Sequence, residues 1–180
     1  MEVIDDHTGV GLLRTARNAI TTKISGQLPS ETPPLTIARR GVFVTLRKGD
    51  QLRGCIGTFT PNADLPETVA EMARAATQDP RFVNTPISAS ELKDIRIELS
   101  ILSPLEQIED PLSFELRRHG IHLKQGKATG CFLPDVGANL GWDKETFLSE
   151  LCRQKAGLPP DAWRSDQTAV FRFTVQKFVE

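Results

Sequence analysis

A cysteine that lies between glycines and close to an arginine is the feature of this 180-residue chain best suited to chemistry. The run Arg53-Gly54-Cys55-Ile56-Gly57 leaves both the backbone and the sulfur open to close approach. A neighbouring cation favours the thiolate, which is the nucleophilic and redox-active form of cysteine. Free cysteine is also among the most buried residue types and often packs as a small apolar side chain. Cys55 is therefore either a reactive group or a core residue, and no histidine has a predictable place beside it.

Strand alternation bears on that choice. The run from Leu52 to Phe59 is typical of a strand, and alternation places Arg53, Cys55 and Gly57 on one of its faces. A face that carries an arginine is less suited to the deep core. Gly54 and Gly57 either mark a bend of a curved sheet or let a ligand approach the backbone closely.

A second strand supplies a candidate base. Residues 95–101 alternate apolar and polar side chains, and the polar face carries Arg96, Glu98 and Ser100. If this strand lies beside the strand of Arg53, Glu98 is placed to pair with Arg53. A buried unpaired carboxylate would instead titrate near neutral pH and act as a base. An ordinary solvated strand face is the alternative.

Asp79-Pro80-Arg81-Phe82 ends a helical stretch, because proline disfavours helix in the residue before it. Asp79 is expected to bond the local backbone, which is the common use of aspartate in turns. Arg81 could bind an anionic substrate through two parallel hydrogen bonds. A purely structural role for this pair is the alternative.

The remaining titratable side chains are weaker candidates. His119 and His122 have the ordinary pKa of about 6.5 that suits a proton shuttle, although most lone histidines do not act as one. The pair Trp142-Asp143 is typical of packing plus a helix cap. Cys131 and Cys152 lie on apolar faces and are predicted to be core residues.

The elements that must position these residues recur in one order. Hydrophobic periodicity, capping residues and turn signals predict a helix over 9–26, a hairpin over 42–59, a helix from Asp64 and a strand over 95–101. A second set follows, with a helix over 112–118, a hairpin over 120–133, a helix over 143–156 and a last strand over 169–178.

The Gly-Cys pairs of the two hairpins, Gly54-Cys55 and Gly130-Cys131, indicate internal repeats over about residues 8–104 and 110–179. One repeat is too small to bury its sheet face well, so we expect the two to share one core. The predicted fold class is α+β. A single domain, 1–180, would hold two helix–hairpin–helix–strand repeats that share one curved, barrel-like, mostly antiparallel sheet flanked by helices.

Composition narrows the classes of function. The net charge of −1 and the pI of about 6.3 give no basic surface for nucleic acid. No apolar run approaches the roughly 20 residues that span a bilayer, and the acidic N-terminus lacks the pattern of a signal peptide. Three widely spaced cysteines make a poor disulfide framework and offer no metal-site spacing. We expect a cytoplasmic protein without a metal site, a nucleic-acid partner or a membrane partner; cofactors and oligomeric state stay open.

Several blocks of the chain, in order, resemble the AMMECR family, whose bacterial and archaeal members are similar to protein A of the AmmeMemoRadiSam system. The resemblance covers about residues 38–178 and rests on blocks at 52–59, 79–82, 97–104, 119–121, 132–134, 141–143 and 155–158.

The resemblance implies an α+β fold with two repeats and a barrel-like sheet. It also implies partners, because the gene cluster encodes a Memo-like protein and a radical SAM enzyme. The family has no established activity. This chain departs from the family pattern at Thr129, where members often carry arginine, and at Ala138 and Asn139, where they often carry glutamate. If those positions help to form a site, the site of this chain is altered.

Two functional hypotheses follow. The first is an enzyme or enzyme subunit whose small-molecule pocket uses Cys55 and Glu98 as catalytic groups and binds substrate through Arg53, Gly54, Asp79, Arg81 and Ser100. The second is a non-catalytic adaptor that holds a metabolite or presents a surface to a partner protein.

Overall fold

The structure, a computed structural model, describes residues 3–27 and 35–180. These residues divide into two compact units. The first comprises Met1–Leu102 and Gln176–Glu180, and the second comprises Ser103–Val175. The strands of the described residues are β1 (Val42–Lys48), β2 (Gln51–Thr58), β3 (Ile95–Leu102), β4 (Glu106–Ile108), β5 (Gly120–Gln125), β6 (Ala128–Phe132), β7 (Ala169–Phe173) and β8 (Val175–Val179).

The first unit contains both helices that the sequence predicts, although the first begins three residues before the predicted start at residue 9. Helix α1 spans Asp6–Ser25, and its N-cap Asp5 accepts a hydrogen bond from the Thr8 amide. It ends at Gly26, whose positive φ of 68° suits a residue without a Cβ. Helix α2 spans Leu65–Ala76, and its N-cap is the predicted Asp64. Both predicted helices are confirmed.

The sheet of the first unit has the strand order β2-β1-β3-β8. The face toward α1 and α2 is apolar and fully buried, and its residues include Val44, Leu46, Ile97 and Leu99. The opposite face carries the intervening residues of the same strands. Alternation therefore divides the sheet into a helix-covered apolar face and a second face with polar side chains, which we call the polar face. It comprises Phe43, Thr45 and Arg47 on β1, Cys55 and Gly57 on β2, and Arg96, Glu98 and Ser100 on β3.

The sheet of the second unit has the strand order β4-β7-β5-β6. Helix α3 spans Pro134–Leu140, and helix α4 spans Lys144–Leu151. Helix α4 continues into a π-helical turn, Cys152–Ala156, that ends at Gly157 with a φ of 66°. The core of this unit is aromatic, and its buried rings include Phe114, Phe132, Phe147 and Trp163.

The α+β class is confirmed, whereas the single shared sheet is wrong. The described strands form two separate antiparallel sheets and no closed barrel. The predicted last strand over 169–178 is two strands, β7 and β8, which belong to different sheets. Its ladder stops at Thr174, because the amide of Thr174 donates to Ser103 Oγ at 2.9 Å and its carbonyl accepts from the Ser103 amide at 3.0 Å.

The helix predicted over 112–118 is also wrong. This segment forms turns, because side chains take the backbone hydrogen bonds that a helix would use. The Leu112 amide donates to Asp110 Oδ1 at 2.9 Å, and the Glu115 amide donates to His119 Nδ1 at 3.0 Å. Arg117 has a φ of 72°, which is incompatible with a right-handed helix. The second unit therefore lacks a counterpart of α1, and the pair of repeats stays a prediction.

Candidate functional site

The strand that carries Cys55 lies at the edge of its sheet and contains a β-bulge. In the ladder between β1 and β2, Arg47 lies opposite Leu52 and the preceding Leu46 lies opposite Gly54. Arg53 is therefore the extra residue of the bulge. A bulge breaks the strict alternation of faces and re-aims the side chains around it.

The guanidinium of Arg53 is buried and fully engaged. It donates to Glu91 Oε1 at 2.5 Å and to the carbonyl oxygen of Thr85 at 3.0 Å. Lys48 adds a second cation to Glu91 at 3.0 Å. The hydrogen bond from Arg53 is the largest cause that lowers the pKa of Glu91 from 4.5 to about 2, followed by bonds from the Ser88 amide and Lys48. Arg53 thus fastens the bulge to the segment that follows α2.

The backbone of Cys55 is held on its outer side by an aspartate and an arginine. The Cys55 amide donates to Asp79 Oδ2 at 2.9 Å, and the Cys55 carbonyl accepts from Arg81 Nη2 at 3.3 Å. Both backbone groups of Cys55 point away from β1, so Asp79 and Arg81 take the place of a further strand. Edge strands need such protection, because their free amides and carbonyls would otherwise pair with another chain.

Asp79 is buried, and Arg81 keeps it ionised. The guanidinium of Arg81 contacts the carboxylate through Nε at 3.0 Å and Nη2 at 2.6 Å. These bonds are the largest cause that holds the pKa of Asp79 well below its usual range; burial opposes them, and the amides of Cys55 and Arg81 reinforce them. The hydrogen bond to Asp79 is the largest cause that raises the pKa of Arg81, and burial opposes it. Arg81 is exposed on its outer side, with 58% of its side chain accessible.

The thiol of Cys55 lies on the polar face rather than in the core. Cys55 is half-buried and lies opposite Thr45, whose Oγ1 donates to Cys55 Sγ at 3.3 Å. Cys55 and Thr45 form a non-hydrogen-bonded pair, the geometry that brings facing side chains closest. The Thr45 hydroxyl therefore holds the sulfur in a fixed position on the polar face.

Glu98 is one strand further along the same row. It lies opposite Thr45 on the other side of β1 and pairs with Lys177 at 3.2 Å. The pairing of Glu98 with Arg53 that the sequence suggested is wrong, because β1 lies between their strands and Arg53 binds Glu91 instead.

Gly54 and Ser100 occupy tight places. A Cβ on Gly54 would lie 2.1 Å from the carbonyl oxygen of Ala76, so only glycine lets β2 approach the end of α2 this closely. Ser100 is fully buried opposite Phe43 on the polar face. The geometry gives Gly54 a packing role that does not require a ligand.

The two candidate histidines, His119 and His122, lie in the second unit. His119 is buried, its Nδ1 accepts the Glu115 amide, and burial is the main cause that lowers its pKa. His122 is half-buried between Cys131 and Phe171 in neighbouring strands, and burial lowers its pKa as well. A lowered pKa keeps both imidazoles neutral at pH 7.

The other second-unit candidates divide by burial. Cys152 is fully buried, as predicted, and burial raises the pKa of its thiol. Cys131 is only half-buried, so its prediction as a core residue is wrong. Trp142 packs against Phe132 at 6.0 Å between ring centroids, and Asp143 caps α4 by accepting the Thr146 amide.

The family departures were Thr129, Ala138 and Asn139. Thr129 lies opposite Lys124 in the second hairpin. The side chains of Ala138 and Asn139 lie outside the described part of the structure.

The local sequence contained signals for only some of the residues that hold Cys55. Ser88 and Glu91 form the capping box that their spacing predicts, but the same carboxylate also binds Arg53 and Lys48. Thr45 was not singled out, because nothing in the sequence shows which residue of β1 faces Cys55. Counting back from the hairpin turn identifies Thr45 only when the extra residue of the bulge is taken into account.

Metal binding and membrane crossing are two wider classes of function on which the structure bears. Within residues 3–27 and 35–180, no cluster of three or more histidine, cysteine, aspartate or glutamate side chains is arranged to hold a metal ion. None of the helices in those ranges combines the length and the apolarity that a membrane crossing requires.

Comparison with known proteins extends over nearly the whole chain. A protein of Thermococcus onnurineus is 41% identical over 98% of this chain and 92% of its own length. A protein of Methanothermobacter thermautotrophicus is 43% identical over 96% of this chain and 94% of its own length. The crystal structure of an uncharacterized protein from Pyrococcus horikoshii shares the fold, with a TM-score of 0.85 and 39% identity over 98% of this chain and 93% of that one. The AMMECR1 family profile matches residues 13–178, so the chain belongs to the AMMECR1 family.

Proposed function

We propose that this chain is a small-molecule enzyme or enzyme subunit that binds its ligand on the polar face of the first sheet and uses the Cys55 thiol as its reactive group. The observation that carries the proposal is the way Cys55 is held. Its amide and carbonyl are bonded to Asp79 and Arg81, its sulfur accepts from Thr45, and its side chain stays half-exposed. A thiol fixed on both sides and accessible on the third is suited to nucleophilic attack or reversible oxidation.

The other proposed site residues take different parts. Asp79, Arg81 and Gly54 position the Cys55 backbone. Arg53 holds the bulge through Glu91 and the Thr85 carbonyl. We therefore assign it a positioning role and do not include it among the residues that contact the ligand. Glu98 and Ser100 lie on the same polar face. Glu98 would take part in proton transfer only after releasing Lys177.

A non-catalytic adaptor is the second candidate, and one observation favours it. Three ion pairs lie near Cys55, and in each the charged groups already have a partner: Arg53 with Glu91, Asp79 with Arg81, and Glu98 with Lys177. Such saturated pairs stabilise a surface that holds a ligand without reacting with it.

The wider setting is also a proposal. The family resemblance supports work beside Memo-like and radical SAM proteins in the cytoplasm. It also supports one domain, 1–180, built from two repeats. Both hairpins turn at a glycine of positive φ, Gly49 and Gly126, and both place a glycine opposite a leucine, which supports the repeat.

The accessibility and reactivity of the Cys55 thiol test the proposal directly. In native protein treated with iodoacetamide, we expect Cys55 to react at least about tenfold faster than buried Cys152, measured by peptide mass spectrometry, because only ionised and accessible thiols alkylate quickly. Cys55→Ala should cost less than about 1 kcal/mol of unfolding free energy, whereas core changes cost about 1–3 kcal/mol. A Cys55 that stays unmodified until the protein unfolds would refute the reactive-thiol role.

Bound metabolite separates the two candidates. Mass spectrometry of purified protein under native and denaturing conditions, on wild type and Cys55→Ser, distinguishes a covalent adduct from a non-covalent ligand. An adduct that survives denaturation and is absent from Cys55→Ser supports an enzyme. A ligand that is retained equally by both proteins under native conditions and lost on denaturation supports the adaptor.

A further inference from the structure

The polar face of the first sheet carries two arginines in register. Arg47 of β1 lies directly opposite Arg96 of β3, in the row next to Thr45 and Glu98. Facing residues of neighbouring antiparallel strands hold their Cβ atoms about 4.5–5.5 Å apart, and like charges placed there repel each other. The sheet therefore keeps two cations where one cation and one carboxylate would be more stable.

Neither of these arginines has a carboxylate partner among the residues the structure describes. Arg47 donates from Nη1 to the carbonyl oxygen of Asp50 at 3.3 Å, and Arg96 is exposed. Glu98, the carboxylate of the neighbouring row, is paired with Lys177. By contrast, Arg53 and Arg81 are each bound to a carboxylate. The anion-binding role expected of Arg81 therefore fits Arg47 and Arg96 better.

We propose that Arg47 and Arg96 form an anion-binding site that takes a phosphate or carboxylate group of the ligand. Paired guanidinium groups match the planar, two-oxygen edge of both anions. The proposal rests on the function proposed above and deepens it by naming the chemical class of the ligand. Successive rows of a strand face are two residues, or about 7 Å, apart. A ligand whose anionic group binds the two arginines therefore brings atoms a few bonds away within reach of Cys55.

The test measures the unfolding temperature at constant ionic strength while inorganic phosphate or succinate replaces chloride. We expect at least one of the two anions to raise the midpoint of the wild type by a few degrees. The double variant Arg47→Gln/Arg96→Gln should lose that rise. Arg14→Gln, which removes one exposed cation from α1 on the other side of the sheet, should keep it. The two arms distinguish a phosphate from a dicarboxylate.

Two outcomes overturn the proposal: an equal rise in the double variant, or no rise with either anion. Screening alone is recognised when added chloride gives the same rise, and this result also counts against the site. Alkylation of Cys55 in the same buffers keeps this proposal separate from the function it rests on. If Cys55 is reactive or carries a metabolite while neither anion stabilises the wild type, only the ligand class is wrong. If Cys55 is unreactive in every buffer, the proposed function itself fails.

Discussion

At the scale of single residues, two charge pairs near Cys55 stabilise different parts of strand β2. Asp79 and Arg81 hold the edge of β2, and Arg53 and Glu91 hold its bulge. Both carboxylates are kept ionised by a guanidinium, and the pKa of each lies below its usual range. The free energy of unfolding of this region should therefore fall as the pH is lowered into the acid range.

Glu91 gives that dependence a defined window. Its pKa falls from 4.5 to about 2 in the folded protein, so the unfolded chain binds its proton first as the pH is lowered. The stability that Glu91 contributes is present above about pH 4.5 and is lost as the pH falls through about 2. We expect Glu91→Gln to be less stable than wild type at pH 7 and to lose less stability between these limits, as measured by urea unfolding at several pH values.

Glu71→Gln is the matched control, because Glu71 is an exposed glutamate of α2. It should follow the wild-type pH dependence. A Glu91→Gln curve parallel to wild type at all pH values would show that the contact with Arg53 contributes nothing to folding.

The sequence identified several residues that hold Cys55 in place. It was less successful in identifying the residues to which they bind. Asp79 was expected to bond the local backbone and does so, at the Arg81 amide as well as across to Cys55. Arg53 was expected to accompany the thiol and instead binds Glu91. Partners 24 to 38 positions away along the chain depend on strand order and on one inserted residue, which local patterns do not report.

At the scale of elements, each hairpin approaches its helix through a glycine. Gly54 lies under the carbonyl of Ala76 at the end of α2, and Gly130 lies under Lys155 and Ala156 of the π-helical turn. The glycines lie opposite Leu46 and Leu123 in their ladders. The second hairpin has no bulge in its described register, so Arg53 has no counterpart there. Thr129 is the second residue of β6 and lies opposite Lys124, as Leu52 lies opposite Arg47, so it matches Leu52 rather than Arg53 in register.

Gly54→Ala tests this approach. An added Cβ would lie 2.1 Å from a backbone oxygen, and α2 must move to admit it. We expect a loss of about 3 kcal/mol or more of unfolding free energy, since overpacking against backbone exceeds the usual cost of overfilling a core. Chemical denaturation with far-ultraviolet circular dichroism measures the loss.

Gly49→Ala serves as the comparison. Gly49 has a φ of 57° in the turn, and nothing lies within 4 Å of an added Cβ. Its cost should be limited to backbone strain, about 1 kcal/mol. Equal costs at both positions would show that α2 moves away from an added Cβ easily and that the contact with Ala76 does not require glycine.

Local signals predicted the elements well where the elements are local. The caps Asp64 and Asp143, the two hairpin turns and the alternating strand β3 all lie where the sequence places them. The two failures have different causes. The helix predicted over 112–118 is lost to local side-chain contacts, from Asp110 to the Leu112 amide and from His119 to the Glu115 amide, whereas the division of the last strand depends on a distant residue. The 169–178 run has the composition of one strand, and only its bonds with Ser103 divide it into β7 and β8.

At the scale of the whole molecule, the first unit is assembled from two stretches of chain that the second unit separates in sequence. The carboxamide of Gln176 accepts from the Ile4 amide at 3.0 Å and donates to the Ile4 carbonyl at 2.5 Å. An added Cβ on Gly9 of α1 would lie 2.2 Å from the ring of Phe178. Strand β8 is thus held by the segment before α1 and by α1 itself.

Arg17 joins these two stretches of chain. Its guanidinium binds the carboxylate of Glu180 and donates to the carbonyls of Leu92 at 3.0 Å and Ile95 at 2.5 Å. Glu180 in turn accepts from the Ile97 amide at 3.3 Å, and its own amide donates to the Ile97 carbonyl at 3.1 Å. One side chain of α1 therefore connects the start of β3 with the strand that returns beside it.

Arg17→Met keeps the aliphatic stem and removes every one of these donors. The ion pair is partly exposed, so we expect a loss of about 1–2 kcal/mol rather than the larger cost of breaking a fully buried pair. The loss should be local, because contacts of β8 depend on it more than contacts within the β1–β2 hairpin do. Hydrogen exchange should therefore quicken most in residues 175–180 and at the start of β3.

Arg14→Met, on an exposed position of the same helix, should leave exchange unchanged. If Arg17→Met raised exchange evenly over β1, β2 and β8, the first unit would open as one cooperative body, and the return of β8 would be no weaker than the rest of its sheet.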